Sequence, residues 1–228
     1  QYTYLLDEIK CRDESSCDDN DNDGDDESNP FAIKQTQGSN IIYPSQENNK
    51  KYKIGTEGFR SSYTEKSDGT YEINGHLTNI NKTGKSFLHI DHLKEYSSKF
   101  FNIIKSVKSN KGISFVSSQF VKSGVMDLAM ALEINGFTRY TGEKSTNLVK
   151  NNFNSDLFCA RHLKHKSELS PEELANFVPA KYILFTSDTM SNKILMNRLV
   201  KEARGDSDYD NLNGEHIKVI LGSKMIEQ

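Results

Sequence analysis

The stretch HIKVILGS, residues 216–223, decides the fold that the sequence predicts. It is short and rich in isoleucine and valine, which is typical of a strand whose two faces are both covered. Two comparable runs precede it, GISFVSSQ at residues 112–119 and AKYILFTSD at residues 180–188. The first of these is bounded by glycine and serines, as strands commonly are. Three such strands in one chain predict a sheet that is buried on both sides.

Helical patterns alternate with these strands. Residues 123–136 are apolar almost all round, with Ser123 as a candidate N-cap and Gly136 as a natural stop. A second helix is expected over residues 191–205, where the apolar side chains share one face. Its candidate caps are Ser187, Asp188, Thr189 and Ser191. This alternation predicts an α/β domain with a mostly parallel sheet.

A further amphipathic helix is predicted ahead of the first strand, over residues 92–110. Its apolar side chains recur at spacings of three and four, so one face is apolar. They are Leu93, Tyr96, Phe100, Ile103, Ile104 and Val107. Residues 29–90, by contrast, are polar with short apolar pieces, so we expect a linker or insertion with little regular structure. The folded domain is then expected over 91–228, with a polar insertion at 141–178.

Length and cysteine content bound the class of protein. A chain of 228 residues can hold one or two domains. It begins at Gln1 and ends at Gln228, so we expect an internal piece of a longer protein. The sequence has neither a signal peptide nor an apolar run of 18 residues, which predicts a soluble, non-secreted protein with no membrane partner. Three cysteines are too few for a disulfide framework and suit a reducing compartment.

Residues 1–28 form an acidic segment that we expect to be disordered. Residues 1–30 carry eleven acidic and two basic side chains, whereas the remaining chain carries 21 acidic and 27 basic ones. The mildly basic body is compatible with nucleic acid without being diagnostic of it. The first half of a calcium-binding EF-hand loop is matched by Asp19, Asp21, Asp23 and Gly24. Its twelfth position is Pro30 instead of a bidentate glutamate, so no metal site is predicted there.

The motif NKTGKS, residues 81–86, suggests a phosphate-binding loop at first sight. Such a loop needs a glycine five positions before the glycine of GK, and Asn79 occupies that position. The preceding residues are polar and turn-rich, whereas a buried strand should lead into the loop. We therefore predict a surface turn in which Lys82 and Lys85 are solvated.

Cys159, His162 and His165 could ligate a metal ion, since their spacing of three would place them on one face of a helix. A closed zinc site needs a fourth ligand, and none is apparent nearby. Surface histidines in a basic segment are the favoured interpretation, and no metal site is predicted.

Small polar residues follow each of the three predicted strands. They are Ser117, Ser118 and Gln119, then Thr186, Ser187 and Asp188, and finally Gly222, Ser223 and Lys224. Ligands of open parallel sheets bind outside the carboxyl ends of the strands, and the free N–H groups of helix N-termini suit phosphate oxygens. Serine and threonine also cap helices in proteins that bind nothing there. The pattern is therefore compatible with phosphate binding and with capping alone.

These runs, together with the earlier SNIIYPSQ at residues 39–46, resemble the C-terminal, second RecA-like domain of superfamily 2 helicases, a P-loop NTPase fold, from about Asn29 to the end of the chain. ISFVSSQF is similar to motif IV, TSDTMSNK to the motif IVa region and KVILGSKMIEQ to the start of motif V. The resemblance is greatest to the proteins of large nucleocytoplasmic DNA viruses, including the poxvirus nucleoside triphosphate phosphohydrolase and early transcription factor. It implies an incomplete RecA-like lobe with irregular insertions.

The resemblance implies an ATP-dependent helicase or nucleic-acid translocase that serves viral transcription or genome handling, in the virion or the host cytoplasm. Its implied nucleic-acid contacts are Ser117, Ser118, Gln119, Ser187, Asp188 and Ser223. ATP and Mg²⁺ would bind mainly to a preceding RecA-like lobe, which would also be a partner of this one. The arginine motif and the Gly-x-Asp of motif V are absent from the chain, so this piece alone is expected to hydrolyse nothing.

Two functions from other classes stay open at this stage. The chain could be a non-enzymatic α/β interaction module whose acidic run recruits basic partners. It could also be a nucleotide-sugar type transferase, because those enzymes use a similar parallel sheet.

Overall fold

The strands form four sheets within the residues that the computed structural model describes, which are 30–45, 52–142, 146–150, 156–186, 192–206 and 210–223. The strands are β1 Ile42–Pro44, β2 Tyr52–Ile54, β3 Tyr63–Glu65, β4 Tyr71–Ile73, β5 Ser114–Ser118, β6 Thr138–Arg139, β7 Phe158–Cys159, β8 Lys164–His165, β9 Lys181–Phe185 and β10 Val219–Ser223. The α-helices are α1 Pro30–Asn40, α2 Gly55–Ser62, α3 Ile90–Tyr96, α4 Ser98–Ser109, α5 Asp127–Ile134, α6 Pro171–Ala175 and α7 Lys193–Arg204.

The main sheet has four strands in the order β5–β10–β9–β6, and every neighbouring pair is parallel. Ile220 of β10 lies opposite Phe115 of β5 on one side and Ile183 of β9 on the other. The three predicted strands therefore share one layer, and the predicted α/β class with a parallel sheet is confirmed. This arrangement is consistent with a RecA-like lobe. The fourth strand, β6, is two residues long and was not predicted.

The two faces of the main sheet bury different side chains, because successive residues of a strand point to opposite sides. Tyr182 and Leu184 of β9 belong to the larger core, which also contains α4 and α5. Ile183 and Phe185 belong to a smaller core, where they pack with Leu199 of α7. Helices therefore cover both faces, as parallel sheets require.

The strand at the β5 end of the sheet is less well covered than its neighbours. Val219 and Leu221 of β10 are fully buried, as their Ile- and Val-rich stretch predicts. Phe115 of β5, however, is 54% exposed and the preceding Ile113 is 40% exposed. Ile220, on the opposite face of β10, is half-buried against the smaller core, so cover on both faces is confirmed for β10. It is wrong for β5, an edge strand of the described sheet, because Phe115 shows that one of its faces is open.

The prediction that residues 29–90 have little regular structure is wrong. In the described part, this segment contains two helices and two antiparallel strand pairs. Its aromatic residues build the core, with Phe59 and Tyr63 rings 4.8 Å apart and Tyr43 and Phe87 rings 6.4 Å apart. Single aromatic residues scattered among polar ones give no local periodicity, so sequence windows miss them. The proposed domain boundaries at residues 28 and 90 remain predictions.

Two predicted helices begin or break at other residues than expected. The helix expected over 92–110 is two helices, α3 and α4, separated at Ser97, whose backbone is extended (φ −152°, ψ 96°). The Ser97 side chain accepts a hydrogen bond from Phe100 N and so caps α4. Ser123 is not the cap of the next helix, because it lies within a π-helical turn, Val121–Met126, that runs into α5. Ser123 itself has a non-helical backbone (φ −83°, ψ 24°), so the segment is kinked at this residue and the regular helix begins only at Asp127.

Several predictions fall on residues outside the described ranges. They include the acidic segment with the half-matched calcium loop and the candidate caps Ser187, Asp188, Thr189 and Ser191. The last part of the run that resembles motif V, KMIEQ at 224–228, also lies outside them. Among the described residues, the Asn192 side chain accepts a hydrogen bond from Leu195 N at 3.0 Å and caps α7. In this same part of the chain, no helix combines the length and apolar character needed to span a membrane.

Gly136 ends α5 as predicted, with a φ of +96° that disfavours any side chain. A Cβ atom at this position would lie 2.8 Å from both Asp156 O and Phe158 N. We therefore expect Gly136→Ala to lower the free energy of unfolding by about 2–3 kcal/mol, from left-handed strain plus a backbone clash. Gly69→Ala is the matched control, because Gly69 has a φ of +75° and open space around it.

Urea denaturation of both variants separates the two causes. The Gly69→Ala loss should be about 1 kcal/mol, since only the backbone conformation is strained. Equal losses for both variants would show that the clash with the 156–158 backbone contributes nothing.

Candidate nucleic-acid interface

The carboxyl end of β5 carries three of the predicted site residues. Ser117 and Ser118 lie at the end of the strand, opposite Gly222 and Ser223 of β10, and both are half-buried. Ser118 Oγ accepts a hydrogen bond from Phe120 N at 3.2 Å, which turns the chain out of the sheet. Gln119, at this turn, is exposed. The turn therefore presents polar side chains at the sheet edge where ligands of parallel sheets bind.

A cleft of about 290 Å³ opens beside this turn. One wall is the end of β5 and the other comes from α1 and the first turn of α4. Its lining residues are Thr36, Asn40, Lys99, Ser117, Ser118, Gln119 and Phe120. The lining among described residues thus contains one cation and no acidic side chain, so it offers mainly hydrogen-bond donors and a positive charge.

Lys99 is held in place at this cleft. Its Nζ donates a hydrogen bond to Asn40 Oδ1 at 2.7 Å, and Asn40 is 2% exposed. The backbone carbonyl of Asn40 accepts a hydrogen bond from the hydroxyl of Ser97, which is itself fully buried. These two hydrogen bonds join the end of α1 to the start of α4 and fix the position of the Lys99 ammonium.

The other three predicted nucleic-acid contacts do not line the cleft or lie outside the described residues. Ser223 is 7% exposed and lies beside Ser118 within the sheet, so it is a buried neighbour of the cleft and not part of its lining. Ser187 and Asp188 lie outside the described residues. The structure thus places Ser117, Ser118 and Gln119 together in one cleft. Their binding roles stay predictions.

Residues 81–85 of the NKTGKS motif form an exposed turn, as predicted, whereas Ser86 is buried. Asn81, Lys82 and Gly84 have φ values of 52°, 59° and 72°, and no strand leads directly into the turn. The amide of Gly84 binds the Asn79 side chain at 2.6 Å, and the amide of Lys85 binds the Thr83 hydroxyl at 3.3 Å. These amides are therefore already engaged within the turn.

Lys85, the lysine that would contact ATP in a phosphate loop, is also engaged in an ion pair. Lys85 Nζ forms an ion pair with Asp91 at 2.5 Å. A phosphate loop needs converging free N–H groups and an available lysine, so this turn does not fit a nucleotide triphosphate.

The cysteine and histidines of the CARHLKH run lie on a β-hairpin and its turn, not on the helix that their spacing suggested. Cys159 is buried in β7, His165 lies in β8 and His162 lies in the turn between them. His165 Nε2 contacts Lys108 Nζ at 2.9 Å. Within the described ranges, no group of three or more Cys, His, Asp or Glu residues is arranged to hold a metal ion.

Comparison with known proteins gives one relevant relative. The chain is similar to a viral helicase. It is 29% identical over 172 residues to "Putative helicase 087L" of Invertebrate iridescent virus 3, a match that covers 70% of this chain and 14% of the relative. The chain thus spans about one seventh of that protein's length. No family model and no solved structure matches the chain.

Sequence reasoning missed the second wall of the cleft. Lys99 was assigned to the middle of one long helix, whereas it lies in the first turn of α4. The pair Ser97–Ser98 was an available N-cap signal for a helix start at this point. Thr36 and Asn40 carried no signal, because they line the same cleft as residues of β5 that are about 80 positions away in sequence.

Proposed function

We propose that this chain is the nucleic-acid-gripping lobe of a helicase-related viral protein. The observation that carries the proposal is its similarity over 172 residues to a protein described as a viral helicase. The four-stranded parallel sheet agrees with the second RecA-like lobe of a superfamily 2 enzyme. In this proposal the longer protein acts as an ATP-dependent helicase or translocase in viral transcription or genome handling.

The cleft at the end of β5 is the proposed contact with the nucleic-acid strand. Hydroxyl groups of Ser117 and Ser118 and the amide of Gln119 can donate hydrogen bonds to phosphate oxygens. Such contacts position a strand without reading its sequence, which is what translocation along any sequence requires. DNA and RNA are both candidate ligands.

ATP and Mg²⁺ are assigned, as part of the same proposal, to the remainder of the longer protein. The described residues contain no phosphate loop that fits a nucleotide, because the Lys85 ammonium is paired with Asp91 and the Gly84 amide is hydrogen-bonded to Asn79. A preceding RecA-like lobe would be the partner that binds ATP. This chain alone is expected to bind a strand and to hydrolyse nothing.

The proposal predicts weak, salt-dependent binding of single strands. Fluorescence anisotropy with a labelled 20-nucleotide DNA and RNA should give a Kd of roughly 1–100 μM at moderate salt. Gln119→Glu, which adds a negative charge in the cleft, should weaken binding by about tenfold at 50 mM salt. Asn197→Asp is the control, because Asn197 is exposed on α7, which packs on the opposite face of the main sheet from α4, and gains the same charge.

The control should change the Kd by less than about twofold, since distant surface charges are largely screened. A wild-type chain that binds neither DNA nor RNA at 50 mM salt would refute the proposed function. Equal effects of the two substitutions on the Kd would show that the nucleic-acid contact does not lie in this cleft.

A further inference from the structure

The cleft has a second wall that lies outside motifs IV, IVa and V. This wall consists of α1 and the first turn of α4, and it contributes Thr36, Asn40 and Lys99. The sequence assigned α1 to a linker, yet its last residue is buried and joined to Ser97. A segment packed this way keeps one position relative to β5, so its side chains can belong to a defined binding site.

The Lys99 ammonium is prepared to bind an anion. A lysine side chain loses much rotamer freedom when it is immobilised, and here the buried Asn40 amide holds it before any ligand arrives. Among the described residues, no carboxylate forms an ion pair with it. Within the described part of the chain, its charge is therefore not neutralised by a carboxylate, and it lines the same cleft as Ser117 and Ser118.

The chemistry of the lining favours a phosphate over other groups. An ammonium is a point charge that suits a phosphate oxygen, and neighbouring hydroxyls can donate to the remaining oxygens. An amide oxygen such as Asn40 Oδ1 accepts one of the three ammonium protons and leaves two for a ligand. Thr36 and Gln119 add polar edges on either side.

We propose that Lys99 binds one backbone phosphate of the strand and that Asn40 positions its ammonium, so that α1 forms one wall of the nucleic-acid-binding surface. This inference rests on the proposed function and adds a binding residue, a positioning residue and a segment to it. Lys99 contacts the ligand, whereas Asn40 acts through Lys99.

The test compares charge-changing variants by the salt dependence of binding to labelled 20-nucleotide oligo-dT. Lys99→Gln should reduce the magnitude of the log–log salt slope by about 0.7, the value for one phosphate on a single strand. The same change raises the Kd about eightfold at 50 mM salt and about fourfold at 150 mM. Lys105→Gln is the matched control, because Lys105 is exposed on the same helix outside the cleft.

Two further variants separate a binding role from a structural one. Lys99→Arg keeps the charge and should retain the wild-type slope. Asn40→Asp places a carboxylate against Lys99 and neutralises it, so its slope should fall as in Lys99→Gln. Circular dichroism verifies that each variant is folded, and the Lys99 pair decides the result even if Asn40→Asp does not fold.

The outcomes distinguish this inference from the proposed function. If the wild type binds with a salt-dependent Kd and Lys99→Gln behaves like Lys105→Gln, the role of Lys99 is refuted while the proposed function stands. If the wild type binds no strand at all, the proposed function fails and this inference fails with it. Displacement of the strand by polyglutamate at equal charge would show a site for acidic peptides and would also refute the phosphate assignment.

Discussion

Replacing Glu133 by leucine should lower the free energy of unfolding by about 4 kcal/mol. Glu133 lies on α5 and is fully buried. Its carboxylate accepts hydrogen bonds from the backbone amides of Leu148 and Val149, at 2.7 and 2.8 Å, and from the Tyr182 hydroxyl at 2.6 Å. Leucine would leave all three buried donors without an acceptor, and each such loss costs about 1–3 kcal/mol.

Glu133→Gln is the control for this prediction. Glutamine has nearly the same shape and retains one acceptor oxygen, so it should lose less than half as much stability. Urea denaturation at pH 7 measures both. A leucine variant within 1 kcal/mol of wild type would show that the 148–149 backbone finds other acceptors and is not anchored by Glu133.

Replacing Asp127 by asparagine should stabilise the protein at alkaline pH. Asp127 opens α5 and is fully buried, and its Oδ2 accepts a hydrogen bond from the Tyr43 hydroxyl. Its Oδ1 and the hydroxyl of Tyr63 are buried without a hydrogen-bond partner. Burial raises the pKa of Asp127 to about 7, an effect that the two tyrosines partly oppose. Among the described residues, only these tyrosine hydroxyls offset the burial of the carboxylate, and they do so in part.

The direction of the pH dependence follows from this raised pKa. A group that binds its proton more tightly in the folded protein destabilises the fold as pH rises from its unfolded pKa to its folded pKa. For Asp127 this window runs from about 4 to about 7. Asparagine cannot ionise, and it can accept from Tyr43 while donating to Tyr63. The stability advantage of Asp127→Asn over wild type should therefore grow by roughly 3 kcal/mol between pH 5 and pH 8.

Subtracting the unfolding free energy of wild type from that of the variant removes the contributions of the other titrating groups and leaves that of Asp127. Glu133, whose pKa burial also raises to about 7, contributes in the same direction to both proteins. His89, whose pKa burial lowers to about 4, contributes in the opposite direction to both. Asp91→Asn is the control and should show no such gain, because the ion pair with Lys85 lowers the pKa of Asp91. If the difference in unfolding free energy between Asp127→Asn and wild type does not change from pH 5 to pH 8, ionisation of Asp127 does not destabilise the fold.

Features that are set by a few neighbouring residues agree with their prediction from the sequence. The strands β9 and β10, the alternation with helices and the stop at Gly136 are local patterns, and all were confirmed. The NKTGKS motif was correctly predicted to be a surface turn, because its missing glycine is a local feature too. The two-residue strand β6 was missed, since two residues carry no periodicity.

Features that arise from contacts between distant segments could not be predicted. The core around Tyr43 joins β1 to Asp127 across 84 residues, and no short window contains both partners. The hairpin of Cys159 and His165 was assigned to a helix because their spacing of three suits a helical face as well as a turn. The same limitation hid the second wall of the cleft, where α1 meets the end of β5.

The sequence by itself determined the class of fold, because runs of isoleucine and valine bury themselves as strands and amphipathic stretches must cover them. It also identified Ser117, Ser118 and Gln119 as polar residues at the end of a strand. The tertiary structure alone decided that Asn40 and Lys99 lie beside them, and that scattered aromatic residues before residue 91 form a core. Local patterns depend on neighbouring residues. The packing of remote segments depends on the shapes of side chains that become buried together only when the chain folds.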